Sequence, residues 1–348
     1  MTTSDTRNNR FEFIECARGL AALAVVLLHA GSMMSPEQYS GKVGLNGFFN
    51  FGKYGVDFFF VLSGFIIYIA SAKNFNNSKT FLPFIIRRLF RIVPAYWFAL
   101  AIGLLVNSHQ RERVFLSTDF LTRQLFLMDN PMWLGPAWTL QFEFLFYFSF
   151  ALGMLNFRIF QVFCVGWLAI IISRGVIYGG AGHDDLFNII SNPYCLLFWA
   201  GMAAARLQRI RLRVLAILFF VGLFLLLIGS RTGENYSELI FRLAIGILFG
   251  SLLIFALRFE GHGLKIPKAF LYLGSISYSL YITHVIFIGV TYAVFARIGL
   301  YAYTHEIWIT LAAIFGCLVM ASLIHRFIEV PFIGYGKRFE SSLLKSSS

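Results

Sequence analysis

Ten apolar stretches, each close to the length that crosses a bilayer, recur from one end of the chain to the other, and they constrain the fold more than any other feature. They fall at about 13–34, 54–72, 90–106, 138–156, 159–178, 191–206, 212–230, 239–257, 271–296 and 307–328. A helix rising ~1.5 Å per residue needs ~20 apolar residues to cover the hydrocarbon core. Composition agrees, with 58% hydrophobic and 13% charged residues, against ~45–50% and ~25% in soluble domains. The expectation is an all-α polytopic membrane protein of about ten transmembrane helices in one bundle. It forms a single domain over residues 1–335, followed by a short cytoplasmic tail, 336–348. The first stretch reads as a retained span and not a cleaved leader, because Glu12 and Glu15 precede it and Arg18 lies inside it.

Loop charge sets the orientation. On the side that holds both termini, lysines and arginines number 18, against 8 on the other, so both termini are expected in the cytoplasm of a bacterial plasma (inner) membrane. The net charge of +12 is therefore mainly a topology signal. The basic residues do not cluster with exposed aromatics as in a nucleic-acid groove, so no nucleic-acid partner is expected. The four cysteines form no CxxC or metal spacing, which points to packing thiols and to no metal site. The longest outer connection, about 107–137, exceeds the usual ~12–15 residues and ends in Asn130-Pro-Met-Trp-Leu-Gly-Pro136. The connection is therefore expected to be a functional cover or partly helical, with a short re-entrant segment at its proline- and glycine-rich end.

Polar residues inside the spans carry the functional signal, since a charge at mid-bilayer costs at least ~2.5–3.5 kcal/mol and normally faces the bundle interior. Arg18 and His29 are eleven residues apart in span one. At ~100° per residue they share a face, about 16 Å apart along the axis. Counting from the span ends places His29, Asp57, Glu143, Tyr281 and His284 at one outer-half depth. Arg88 and Arg91 fall at the cytoplasmic mouth of span three. Each has a plainer reading: an interhelical hydrogen bond for the histidines and carboxylates, an interface anchor for the arginines. Taken together they suit a histidine with a carboxylate partner, able to deprotonate a hydroxyl or carry an acyl group. An arginine pair beside it suits a phosphorylated ligand. Acyl transfer from a phosphate-bearing donor fits, and a proton-coupled transporter or flippase of lipid-linked sugar is the alternative.

Five segments then carry a resemblance: Arg18-Gly-Leu-Ala-Ala-Leu-Ala-Val-Val-Leu-Leu-His29, Gly55-Val-Asp-Phe-Phe-Phe-Val-Leu-Ser-Gly-Phe65, Arg87-Arg-Leu-Phe-Arg-Ile-Val-Pro-Ala-Tyr-Trp97, Trp138-Thr-Leu-Gln-Phe-Glu-Phe-Leu-Phe-Tyr147 and Ser277-Tyr-Ser-Leu-Tyr-Ile-Thr-His284. In this order the chain resembles the membrane-bound acyltransferase 3 family, and most of all its exopolysaccharide O-acetyltransferase branch. The resemblance implies transfer of an acyl group, commonly acetyl, from cytoplasmic acyl-CoA to a carbohydrate hydroxyl on a polysaccharide or lipid-linked sugar. It implies Arg18 with His29, Arg88 with Arg91, and Glu143 with Tyr147 as functional pairs. On this reading His29 and Glu143 are catalytic, with Glu143 orienting or charge-balancing the imidazole, and Arg18, Arg88 and Arg91 hold the donor. Asp57, Trp138, Tyr147, Tyr281 and His284 are candidates for the acceptor. Whether His29 acts as a base or is itself acylated stays open at this level.

Overall fold

The fold follows from backbone chemistry in lipid, where every N–H and C=O must be satisfied within the chain and an apolar segment therefore becomes a helix. A computed structural model describes residues 3–34, 44–106, 117–129, 131–178, 186–229, 234–259, 265–302 and 304–346. Among these there is no strand. The α-helices are α1 (Thr3–Ser32), α2 (Tyr54–Ser71), α3 (Phe81–Val106), α4 (Thr118–Leu125), α5 (Trp138–Leu155), α6 (Phe157–Tyr178) and α7 (Leu186–Ser191), then α8 (Cys195–Arg206), α9 (Leu212–Gly229), α10 (Glu234–Phe259), α11 (Lys268–Ser275), α12 (Ser277–Arg297), α13 (Glu306–Ile324) and α14 (Val330–Ser346).

Each of the ten expected spans carries a helix. Among the described residues eight stretches are long and apolar enough to cross a membrane, and the other two, Cys195–Arg206 and Leu212–Ile228, are shorter apolar helices. At ~1.5 Å per residue α8 covers only about 18 Å. It continues a span broken at Asn192-Pro193, where proline interrupts the helix that α7 begins. The carbonyl that the break frees on Ile190 accepts the indole N–H of Trp167 at 2.6 Å. Side chains such as Leu105, Val162, Val165, Phe220 and Phe315 project outward, as expected where the surrounding solvent is lipid.

Packing is closest where glycine removes the side chain. A Cβ on Gly64 of α2 would lie 2.0 Å from the carbonyl oxygen of Phe198, and one on Gly201 of α8 would lie 2.0 Å from that of Val61. The two backbones thus meet face to face, as small residues allow in membrane bundles. Beside this contact an aromatic core gathers Phe60, Phe146, Phe150 and Phe198, with Phe146 stacked on Phe198 at 4.4 Å.

Two elements add detail to the expectation. Within residues 336–348, expected to form a short tail, the helix α14 continues to Ser346. It lies along α3, with Arg87 bonded to Glu340 at 2.5 Å and Gly336 against Phe90. A π-turn at His325–Glu329 joins it to α13. In the long outer connection, residues 107–116 and 130 lie outside the described residues. The remainder folds as α4 followed by a buried plug in which Met132, Leu134, Pro136 and Ala137 are enclosed. Two glutamines hold it: Gln124, 0% exposed, bonds Asp129 and the N–H of Trp133. Gln141 donates to the carbonyls of Leu127 and Asp129. The indole of Trp133 reaches Gly103 near the end of α3, so the chain is already inside the bundle when α5 begins.

Candidate functional site

Five helices turn polar residues toward one narrow cavity of about 80 Å³. Arg18 comes from α1, Phe59 and Ser63 from α2, Arg88 and Arg91 from α3, Thr139, Glu143 and Tyr147 from α5, and Ser277, Tyr278 and Tyr281 from α12. The lining holds three guanidinium groups and one carboxylate, an excess of positive charge that suits an anionic ligand. Arg88 is 8% exposed. Its guanidinium lies 5.4 Å from the Phe84 ring centre and 5.2 Å from that of Tyr147. Among the described residues its Nε has no hydrogen-bond acceptor, and the buried hydroxyl of Ser277 likewise has no partner. Leaving such groups unpaired is expensive, so an oxygen from water or from a ligand would be favoured at each.

Glu143 accepts the hydroxyl proton of Tyr147, and with Glu329 it acts electrostatically on Arg18. It was expected beside His29, at the opposite depth from the arginines. The structure instead groups it with Arg18, Arg88 and Arg91. Two physical reasons account for the difference. The helix of span three begins at Phe81, well before the apolar window that starts near 90, so Arg88 and Arg91 sit within the helix and not at its mouth. Span four is preceded by the buried plug, so its first turn already lies inside the bundle.

His29 meets a second imidazole. Nε2 of His284 lies 3.3 Å from Nδ1 of His29, and the rings are edge-on with centres 4.9 Å apart. Nδ1 of His29 is also 2.9 Å from the Val25 carbonyl oxygen, and Nδ1 of His284 is 2.6 Å from that of Tyr281. His284 is 0% exposed, whereas His29 is only partly buried. Tyr281 joins the two regions: it lines the cavity, its ring is 5.9 Å from that of His284, and its hydroxyl donates to the Pro136 carbonyl at 3.3 Å. Phe59 packs on Tyr281 at 5.7 Å at the same end.

The remaining candidates lie elsewhere. Asp57, 1% exposed, is paired with Arg242 of α10. That guanidinium lies 3.7 Å from the Tyr194 ring centre and 3.5 Å from Glu238. Trp138 packs against Phe60, Phe142 and Tyr194 with centres 6.3, 5.6 and 5.2 Å away. The ring of Tyr147 lies under Arg88 and its hydroxyl is bonded to Glu143. Sequence reasoning missed Arg242, Ser277 and Glu329. Glu329, 4% exposed in the π-turn, accepts from Ser279 at 2.7 Å and pairs with His325 at 2.9 Å. Arg242 had a usable signal, a charge inside an apolar window. Ser277 had none.

Comparison with known proteins agrees with the motifs. Residues 11–326 match the family described as "Acyltransferase domain". The chain is 32% identical over 270 residues, 72% of its length and 81% of the relative's, to the exopolysaccharide production protein ExoZ of Rhizobium meliloti (strain 1021). No solved structure matches the chain. A family match over nearly the whole of an α-helical, multiply membrane-spanning chain means that this protein belongs to the membrane-bound acyltransferase 3 family and is an integral-membrane acyltransferase.

Proposed function

We propose that the protein transfers an acetyl group from cytoplasmic acyl-CoA to a hydroxyl of an extracytoplasmic or lipid-linked polysaccharide. The observation that carries this reading is the cavity itself, which three guanidiniums face, with an Arg88 Nε and a Ser277 hydroxyl that have no hydrogen-bond partner among the described residues, and whose lining residue Tyr281 also packs 5.9 Å from the ring of His284. Arg88 and Arg91 receive the donor's anionic groups, and Arg18 receives a polar group deeper in the same cavity. Glu143 balances part of the charge and holds Tyr147 in place. The name of the relative, which concerns exopolysaccharide production, supports a polysaccharide acceptor.

In the reaction His29 is the general base. It takes the proton of the acceptor hydroxyl as the oxygen attacks the thioester carbonyl carbon. The carbon–sulfur bond then breaks, and the departing thiolate recovers the proton from the imidazolium. The products are an ester and a free thiol, with no net proton gained or lost. Arg18 and His29 are about 16 Å apart along α1, so the donor's flexible arm, and not its phosphates, is the part that reaches the histidine. The direct test is the acyl content of surface polysaccharide, by proton NMR, from cells with and without the gene. Ester-linked acetyl signals that disappear with the gene are expected, and an unchanged spectrum would remove the proposed acceptor class.

A further inference from the structure

Two carbonyl oxygens define how the histidine pair must be protonated. A carbonyl only accepts, so Nδ1 of His284, 2.6 Å from the Tyr281 oxygen, carries a hydrogen. The neutral His284 ring then has its lone pair on Nε2, the atom that faces Nδ1 of His29 at 3.3 Å. Nδ1 of His29 is likewise within 2.9 Å of the Val25 carbonyl oxygen and therefore also carries a hydrogen. That hydrogen is shared between the Val25 oxygen and the His284 lone pair. The two constraints agree with each other and leave Nε2 of His29 as its only basic nitrogen. Among the described residues that nitrogen has no hydrogen-bond partner, and no carboxylate is bonded to either ring.

We infer that His284 is a positioning residue for the acyl transfer and not an acceptor-binding one: with the Val25 carbonyl it accepts the Nδ1–H of His29, and so holds the tautomer and sets the ring orientation that put a basic Nε2 before the substrate. The inference rests on the reading of His29 as general base. It assigns to a buried imidazole the orienting part that Glu143 was expected to play. As His29 takes up the acceptor's proton, its Nδ1–H becomes a stronger donor, and the bond to His284 strengthens at the stage when the imidazolium most needs it. Burial suits the part, because a protonated His284 would turn a second donor toward Nδ1–H of His29 and break the arrangement. His325 makes the contrast within the same molecule, since its imidazole is paired with the Glu329 carboxylate.

Two amide variants of the purified full-length protein separate this role from packing. In His284→Asn the amide occupies the Nδ1 position, where it still donates to the Tyr281 carbonyl, and nothing accepts from His29. In His284→Gln an amide oxygen reaches the Nε2 position and accepts from His29. Turnover is measured per folded protein, counted from the monodisperse fraction, with acetyl-CoA and a hydroxyl acceptor both titrated. The expected result is a kcat for His284→Asn lowered about 100-fold or more, with KM for both substrates within about twofold of wild type. The kcat of His284→Gln should exceed that of His284→Asn by about tenfold or more. Equal losses in the two variants, or losses that appear in KM, would overturn the inference. His29→Ala distinguishes the two levels of argument: activity in that variant removes the general-base reading itself. An inactive His29→Ala beside a fully active His284→Asn removes only the role given to His284.

Discussion

A buried guanidinium nitrogen without an acceptor is costly unless something supplies an oxygen to it, and among the described residues the Nε of Arg88, set among aromatic rings, is in that position. A charge-assisted contact to a phosphate or carbonyl contributes ~1.5–3 kcal/mol. Arg88→Ala should therefore weaken acyl-CoA binding by about ten- to a hundredfold. Arg88→Lys should recover only part of it, because an ammonium lacks the planar fork. Titration calorimetry of the purified variants checks this, and unchanged affinity would make Arg88 a structural cation. At this scale the sequence shows residue types well and partners poorly. Arg18, Arg88, Arg91, Glu143, Tyr147 and Tyr281 were legible and do line one cavity. The pairing of Arg242 with Asp57 was not, because partners separated by 185 residues are joined by packing alone. The His29–His284 pair was legible in depth but not in contact, since depth along two helices says nothing about which faces meet.

Helices and their packing were legible for a different reason: in lipid an apolar run has one outcome, and its length can be counted. All ten windows are helical, although α8 is too short to span alone and needs α7 before it. Counting failed where an element began outside its apolar window, as with α3, or was preceded by buried irregular chain, as with the plug before α5. The closeness of α2 to α8 has its own test. Gly64→Ala forces a methyl toward the Phe198 carbonyl, where neither backbone can give way, and overpacking of this kind costs ~1–3 kcal/mol. Its thermal midpoint in detergent should fall. Gly166→Ala on α6, where nothing lies within 4 Å of the new Cβ, should leave the midpoint unchanged or slightly raised. Equal midpoints in the two variants would show that the α2–α8 contact is looser than described.

For the molecule as a whole the proposal is vectorial, with donor and acceptor on opposite faces of the bilayer. Loop charge assigns the sides. With the four native cysteines replaced, a thiol at Lys53 should react with a membrane-impermeant reagent added to intact cells, while one at Arg213 should react only after the membrane is opened. Both positions are exposed. The reverse pattern would invert the topology and the direction of transfer. The central claim is that acyl transfer in this membrane bundle depends on the imidazole of His29, and the most direct measurement compares polysaccharide from cells producing wild type or His29→Ala at equal membrane levels. The account predicts that ester-linked acyl signals in the proton NMR spectrum fall by about 100-fold or more, the range expected when a general base is removed. Acyl content close to wild type in cells carrying His29→Ala would contradict it.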